Sequence, residues 1–372
     1  LDTIEKVKFL LEALSTLLAD DPEGHYDDEI QFEYEQNQLI KVLFIIQNNS
    51  PEIMFNCFNE LKETFLKGGE KRQAYSLPAL VNIISNFCFS LSYGFDCMNN
   101  MIQINENDLN MREHLSQYNI QDFNADSLFD FLMKTYMLMN DIITKIAEND
   151  PYKAAQLFLV CFTQANQIKC NKEKYMEACL SFINATMQIY NENKYEGTLK
   201  TKIFNQIISS LIQSNILSSE LVSQKINELQ ESIQLMQKRV DQCYSSLDLG
   251  DAYYFALNDK AKLLDCLKKA KRFADFAMTN PQNAMLFIYI INKYIYFIEK
   301  CDKEDFLDFI NTDTLNDLIE LVKNHIQSLK VETKDDSNST VLSEIEEYYN
   351  NTVQFIQGRK KAGRKIYVQL LE

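Results

Sequence analysis

The sequence predicts an all-α fold built as a HEAT-like α-solenoid, and three observations carry that prediction. The 372 residues contain only 8 glycines and 5 prolines, far fewer turn formers than a sheet protein of this size needs. Apolar residues recur at helical spacing along most of the chain, with breaks of about two to six residues. Prolines tend to follow a capping residue and precede an apolar run, as at Ser50-Pro51, Asp150-Pro151 and Asn280-Pro281.

The periodicity places helices near 2–19, 29–47, 51–67, 76–98, 126–148, 151–167, 172–191, 199–215, 218–245, 259–278, 281–299, 304–329 and 340–357. Short links such as Asn149-Asp150 and Thr279-Asn280 fold neighbours back on each other as antiparallel hairpins. Gly68-Gly69 reads as a helix stop, a glycine there supplying a left-handed C-cap. Longer polar breaks fall at Asp20–Asp28, Asn105–Asn124, Lys330–Ser339 and Gly358–Arg364. None has the character of a domain linker, because the same helical pattern resumes after each. The reading is one solenoid domain over 1–372. Leu1 begins in mid-pattern without an initiator Met, so the chain reads as a fragment of a longer one.

Net charge is −16, which argues against nucleic acid and against unaided binding to anionic membranes, since both attract basic surfaces. No signal peptide is visible, and no run of about 18 apolar residues marks a membrane span. The nine cysteines include no C-x-x-C pair and sit mostly in apolar helical runs, where a free thiol behaves as a small hydrophobe. An odd count without a framework suits a reducing compartment.

No catalytic constellation emerges. His25, His114 and His325 are isolated, and Gly68-Gly69 is followed by charges rather than by a phosphate-loop Gly-Lys-Ser/Thr. The enzyme class weighed is the all-helical, magnesium-dependent diphosphate enzyme, which uses aspartate-rich helix motifs. Asp27-Asp28-Glu29 lacks a third carboxylate one turn on. Asp335–Glu344 places Glu344 one residue late, a rotation of about 100° on a helix. A solvated loop ending in an N-cap accounts better for that stretch. The sequence calls for no cofactor and no metal.

Residues 263–300 are the most informative stretch. Two helices lie back to back, roughly 261–278 and 281–299. The second is apolar on nearly every side, the mark of a helix held between neighbours, while Asn292 and Lys293 interrupt it. Ala284, Phe287, Ile288, Ile291, Ile295 and Ile298 form a core stripe. Met285, Tyr289, Asn292 and Tyr296 follow at i, i+4, i+7 and i+11 as a second stripe. That mixture of aromatic and polar groups is the make-up of an interface, and packing against the next hairpin is the competing account.

The same segment carries a resemblance. CLKKA at Cys266–Ala270, LFIYIINKYIYFIEK at Leu286–Lys300, GGEKRQAYSLPALV at Gly68–Val81 and QLFLVCFTQANQI at Gln156–Ile168 resemble the C-terminal half of the large α-solenoid subunit of retromer, the vacuolar protein sorting-associated protein 35 family. The resemblance implies a right-handed solenoid and a non-catalytic scaffold of an endosomal cargo-retrieval coat. In that family this half cradles a small metallophosphoesterase-like subunit. The family's Asn-Lys/Arg-Tyr-Ile-Tyr-Phe run is matched by Asn292–Phe297, and its C-terminal Ile-Tyr-x-x-Leu by Ile366, Tyr367 and Leu370. The expected partner-binding residues are therefore Met285, Tyr289, Asn292, Tyr296, Ile366, Tyr367 and Leu370.

By the same resemblance the chain is cytoplasmic and peripheral on endosomal membranes, recruited indirectly through partners such as sorting nexins or a Rab GTPase. The family's self-association uses acidic and basic patches. Here they are reduced to Glu192 with Asn191 and Asn193, and to Lys238 with Arg239, which puts dimerisation by that mode in question. The family's N-terminal motif for the arrestin-like subunit is absent from these residues, so binding of that subunit is not expected. The large subunit of a related retromer-like complex, or another helical trafficking scaffold, is the alternative reading.

Overall fold

The structure, a computed structural model, describes residues 3–13, 32–34, 36–38, 41, 46, 48–102, 118–192, 197–277, 282–300, 312–332 and 339–371. Among them every regular element is helical and there is no strand. In chain order they are α1 (Thr3–Ala13), α2 (Pro51–Phe65), α3 (Glu70–Met98), α4 (Ala125–Ala147), α5 (Pro151–Gln167), α6 (Met176–Glu192), α7 (Gly197–Ile212), α8 (Ser219–Gln234), α9 (Arg239–Phe255), α10 (Lys260–Asp275), α11 (Gln282–Lys300), α12 (Thr312–Glu332), α13 (Ser339–Lys361) and α14 (Lys365–Val368). Single 3₁₀ turns stand at Ile120–Asp122 and Lys172–Tyr175. α3 packs on α2, α4 and α5, and α9 on α7, α8, α10 and α11, that is, on chain neighbours and on the next but one. Hairpin stacked on hairpin in this order is an α-solenoid, as the periodicity predicts.

Packing groups the chain into two compact units: Leu1–Lys194 with Ser214–Ser218, and Tyr195–Gln213 with Ser219–Glu372. The first unit reclaims its short downstream piece through Asn166. That side chain is 4% exposed, and its Oδ1 accepts from the Asn215 amide at 2.8 Å and the Ile216 amide at 3.2 Å. Asp96 does similar work within the unit, accepting from the Lys169 and Cys170 amides, each at 2.9 Å.

Capping largely follows the expected chemistry. Asp150 accepts from the Lys153 amide with Pro151 at the first turn, and Asp259 from the Lys262 amide. Asn124 and Ser127 form a reciprocal capping box that opens α4. Ser50 makes no side-chain cap; its own amide donates to Asn48 Oδ1. The left-handed role expected at Gly68-Gly69 is not found. Gly69 has φ −71° and ψ 171° and serves as the N-cap of α3, while α2 ends on Leu66 in ordinary right-handed geometry. Consequently α3 starts at Glu70, six residues ahead of the expected 76, and runs through Pro78. His25, His114, Cys301, Asn280-Pro281, Asp27-Asp28-Glu29, the Asp20–Asp28 break and parts of the Asn105–Asn124 and Lys330–Ser339 breaks lie outside the described residues.

One correction concerns membranes. By length and composition α3 is apolar enough to cross a bilayer, contrary to the expectation of no such run. Over half of that apolar window, 56%, is buried inside the first unit, which is how a core helix behaves. Leu80, Val81, Ile84, Cys88 and Leu91 are wholly inaccessible. Cys161 and Cys179 share that core, and burial pushes their thiols up to about 12, as it does Cys243 and Cys266 in the second unit. These thiols act as packing groups, as read from their settings.

The second unit is organised by α11. Ala284, Phe287, Ile288, Ile291, Ile295 and Ile298, the expected core stripe, are 0–7% exposed. Leu286, Ile290, Tyr294 and Phe297 are buried too, so three sides of the helix are covered. His325 of α12 stacks on Phe287 with ring centres 5.8 Å apart. Beneath α11, α9 and α10 approach closely at Gly250. A Cβ there would sit 3.1 Å from Leu263 Cδ1 and 3.5 Å from Cys266 Cβ. The same helix carries Asp248, 7% exposed, whose pKa rises to about 6 because burial penalises its charge more than nearby Lys293 relieves it.

Two stability outcomes are expected. Gly250→Leu forces extra carbons into the α9–α10 contact and should cost about 1–3 kcal/mol by overpacking, read from urea unfolding. Because the folded state holds Asp248's proton more tightly than the unfolded chain, its contribution is full below the unfolded value near 3.8 and fades as pH climbs through about 6. Asp248→Asn should therefore stabilise the protein by about 1–3 kcal/mol at pH 7.5 and converge with the parent near pH 4. Equal stabilities across pH 4–8 would contradict that placement of the carboxyl.

Candidate functional site

The fourth side of α11 is the candidate site. Tyr289 is 43% and Tyr296 41% exposed, on a helix whose other large side chains are nearly all inaccessible. Asn292 is exposed between them, and Met285 is half-buried, packed against the core of the unit. The i, i+4, i+7, i+11 spacing thus brings all four to one edge. Both tyrosines are backed by α9 rather than standing free. Tyr289 meets Tyr244 edge to face at 5.2 Å, and Tyr296 meets Phe255 at 6.1 Å. Such offset aromatic contacts hold a ring in one orientation while leaving its other face open.

Beside Tyr296 runs an open groove of about 490 Å³ between α11 and α13, lined by Asn292, Tyr296, Tyr348, Thr352, Phe355 and Arg359 among others. Thr352 donates to Asn292 Oδ1 at 2.9 Å, so the amide is turned toward α13. Tyr348 is 54% and Phe355 42% exposed, which extends the aromatic surface from one helix to the next. Arg359 lies over the Phe355 ring, 5.1 Å from its centre. A surface of this kind suits binding. Among the described residues no three His, Cys, Asp or Glu side chains converge to hold a metal ion.

The C-terminal part of the expected set takes a different place. Tyr367 and Leu370 are fully inaccessible and Ile366 is 8% exposed, all within the core of the second unit. Tyr367 donates to Glu299 Oε1 at 2.8 Å, and Arg359 and Arg364 reach the same carboxylate at 2.7 and 3.1 Å. Burial, together with the acceptor Glu299, raises the Tyr367 hydroxyl, which stays a neutral donor. Asn316 clasps the chain beyond Tyr367, donating to Gln369 O at 2.9 Å and accepting from the Leu371 amide at 3.0 Å. The three residues offer almost no exposed surface in this chain. Their burial follows from their apolar character: α14 is only a single turn and is held by its side chains.

Sequence reasoning passed over the groups that shape this edge. Lys293, which the sequence marks as an interruption of an apolar run and as the second residue of the matched Asn292–Phe297 run, is ion-paired with Asp251 of α9, its side chain 16% exposed and its partner's 19%. Burial raises the carboxyls of Asp248 and Asp251, and Lys293 works against that shift in both. Tyr289 is raised as well, by burial first. Asp248 and Asp251 are three apart on one helix, and that spacing was the one signal available; nothing local says which cation they meet some 42 residues away.

The family model for vacuolar protein sorting-associated protein 35 matches residues 1–325. Vacuolar protein sorting-associated protein 35A of Arabidopsis thaliana is 26% identical over 336 residues, covering 87% of this chain and 38% of its own. The 35B protein of the same plant is 23% identical over 98% of this chain and 42% of its own. Vacuolar protein sorting-associated protein 35 of Schizosaccharomyces pombe is 22% identical over 81% and 32%. The chain thus spans well under half the length of these curated relatives. With helical hairpins throughout its described residues and a family match over most of its length, the chain belongs to the vacuolar protein sorting-associated protein 35 family.

Proposed function

We propose that this chain is part of the scaffold subunit of a retromer-type sorting coat, and that its second unit holds a small metallophosphoesterase-like subunit on the α11 edge. The reading takes its partner from the family resemblance and its place from one observation. On a helix otherwise sealed on three sides, two tyrosines and an asparagine remain exposed in register. Aromatic side chains backed by rigid neighbours make good anchors, because little conformational freedom is lost when a partner covers them. Full burial of each tyrosine's exposed part contributes roughly 1–2 kcal/mol. Met285 supports the edge from its half-buried place, and Ile366, Tyr367 and Leu370 serve it from beneath by closing the core. The role is binding, without catalysis. The acidic chain, at −16, reaches an endosomal membrane through partners such as sorting nexins or a Rab GTPase rather than by its own charge.

The test is co-elution of the chain with the small metallophosphoesterase-like subunit on size exclusion, followed by titration. Tyr289→Ala, Asn292→Ala and Tyr296→Ala together should weaken binding about a hundredfold. Met137→Ala, at an exposed methionine of the first unit, should leave binding unchanged. Absence of co-elution with the unmutated chain, or a triple variant that binds as well as its parent, would sink the proposal.

A further inference from the structure

We propose that Lys293 is a positioning residue for the binding edge, held by Asp251 of α9 so that Tyr289 and Tyr296 are presented together. The inference rests on the reading of that edge as a partner surface and goes beyond it by naming what fixes the edge's geometry. Lys293 lies four residues after Tyr289 and three before Tyr296, one helical turn from each. Its ammonium pairs with Asp251 and lies 5.8 Å from the Tyr296 ring centre. Each tyrosine leans on an aromatic of the same helix that carries the two aspartates, Tyr244 for Tyr289 and Phe255 for Tyr296. One buried charge contact thus lies between two ring contacts, and all three join α11 to α9.

The charges facing this lysine are Asp251 and Asp248, with Asn205 of α7 hydrogen-bonded to Asp248. Asp251 Oδ1 is buried with no hydrogen-bond partner among the described residues. One buried and one largely buried carboxylate served by a single cation are costly, and an apolar contact between α9 and α11 would hold the helices at least as well. What an ion pair adds over an apolar contact is direction: it fixes the rotation and axial position of α11, where oily side chains tolerate sliding.

The experiment compares Lys293→Met, which keeps the length and removes the charge, with Lys293→Arg, which keeps the charge. Two readouts are taken on the full chain. Fluorotyrosine placed at 289 and at 296 reports each ring by ¹⁹F NMR without any partner, and titration with the small metallophosphoesterase-like subunit reports affinity. The methionine variant should shift or broaden both resonances and weaken binding about tenfold; the arginine variant should restore both nearly to the parent. Asp251→Asn is the second variant, should Lys293→Met fail to fold, and is expected to move the same resonances. Unmoved resonances in the charge-removing variants would overturn the inference, as would moved resonances with undiminished affinity. Moved resonances in a chain that does not bind the subunit even unmutated would leave the positioning role standing and defeat the partner reading instead.

Discussion

The second unit depends on one constraint: α11 is too apolar to face water on more than one side. Leu286, Phe287, Ile290, Ile291 and Phe297 are within 1% of full burial and point around the helix, so neighbours must cover it from several directions. α9 and α10 cover one flank and α12 and α13 the other, and each must come close enough to exclude water. Gly250 permits that approach where α9 meets α10. The short C-terminal segment seals what the long helices leave open, with Tyr367 and Leu370 inside and Glu299 gathering two arginines and a tyrosine hydroxyl at the seam. Only the edge carrying Tyr289, Asn292 and Tyr296 is left, so the exposed surface is a remainder set by packing.

That logic explains what could be read ahead of the structure. The hairpin at 263–300 was legible because its core residues recur at helical spacing and its second helix lacks a polar face. The stripe Ala284, Phe287, Ile288, Ile291, Ile295, Ile298 is buried as read; of the second stripe, which the sequence leaves between an interface and packing on the next hairpin, Tyr289, Asn292 and Tyr296 are exposed and Met285 is half-buried. Three readings went differently, each for a physical reason. Gly69 takes an extended conformation open to any residue, because the chain needed a helix start there rather than a left-handed stop. The helix expected from 76 starts at Glu70 instead and carries Pro78 in its interior, since a long helix with a buried face can lose one backbone bond and persist. Ile366, Tyr367 and Leu370 matched a family motif, but a motif does not say whether its side chains face inward, and these do.

The ionic groups of α9 and α11 were illegible for a different reason. Asp248, Asp251 and Lys293 look like ordinary charges in a chain that is a quarter charged, at 24%. Most ion pairs here, such as Lys8–Glu60 and Lys134–Glu52, lie on the surface and contribute little, since water screens them and their side chains lose freedom. Lys293–Asp251 differs because both partners are largely withdrawn from solvent. Burial strengthens the attraction and raises the desolvation cost with it. Such a pair is retained for geometry more readily than for stability.

A scaffold helix has two demands to meet at once. Its buried sides must be apolar for the fold to persist, yet apolar packing alone leaves rotation and sliding weakly specified. On the proposed reading, its exposed side must also hold rings at fixed positions, because a partner surface tolerates little displacement. In α11 the aliphatic stripe meets the first demand. The second falls to directional contacts: the rings of Tyr244 and Phe255, the Thr352–Asn292 hydrogen bond and the Lys293–Asp251 pair. The directional contacts lie on the side chains of the exposed edge, whereas Ile291 and Ile298 lie on the opposite side of the helix and Ile295 lines the groove beside that edge.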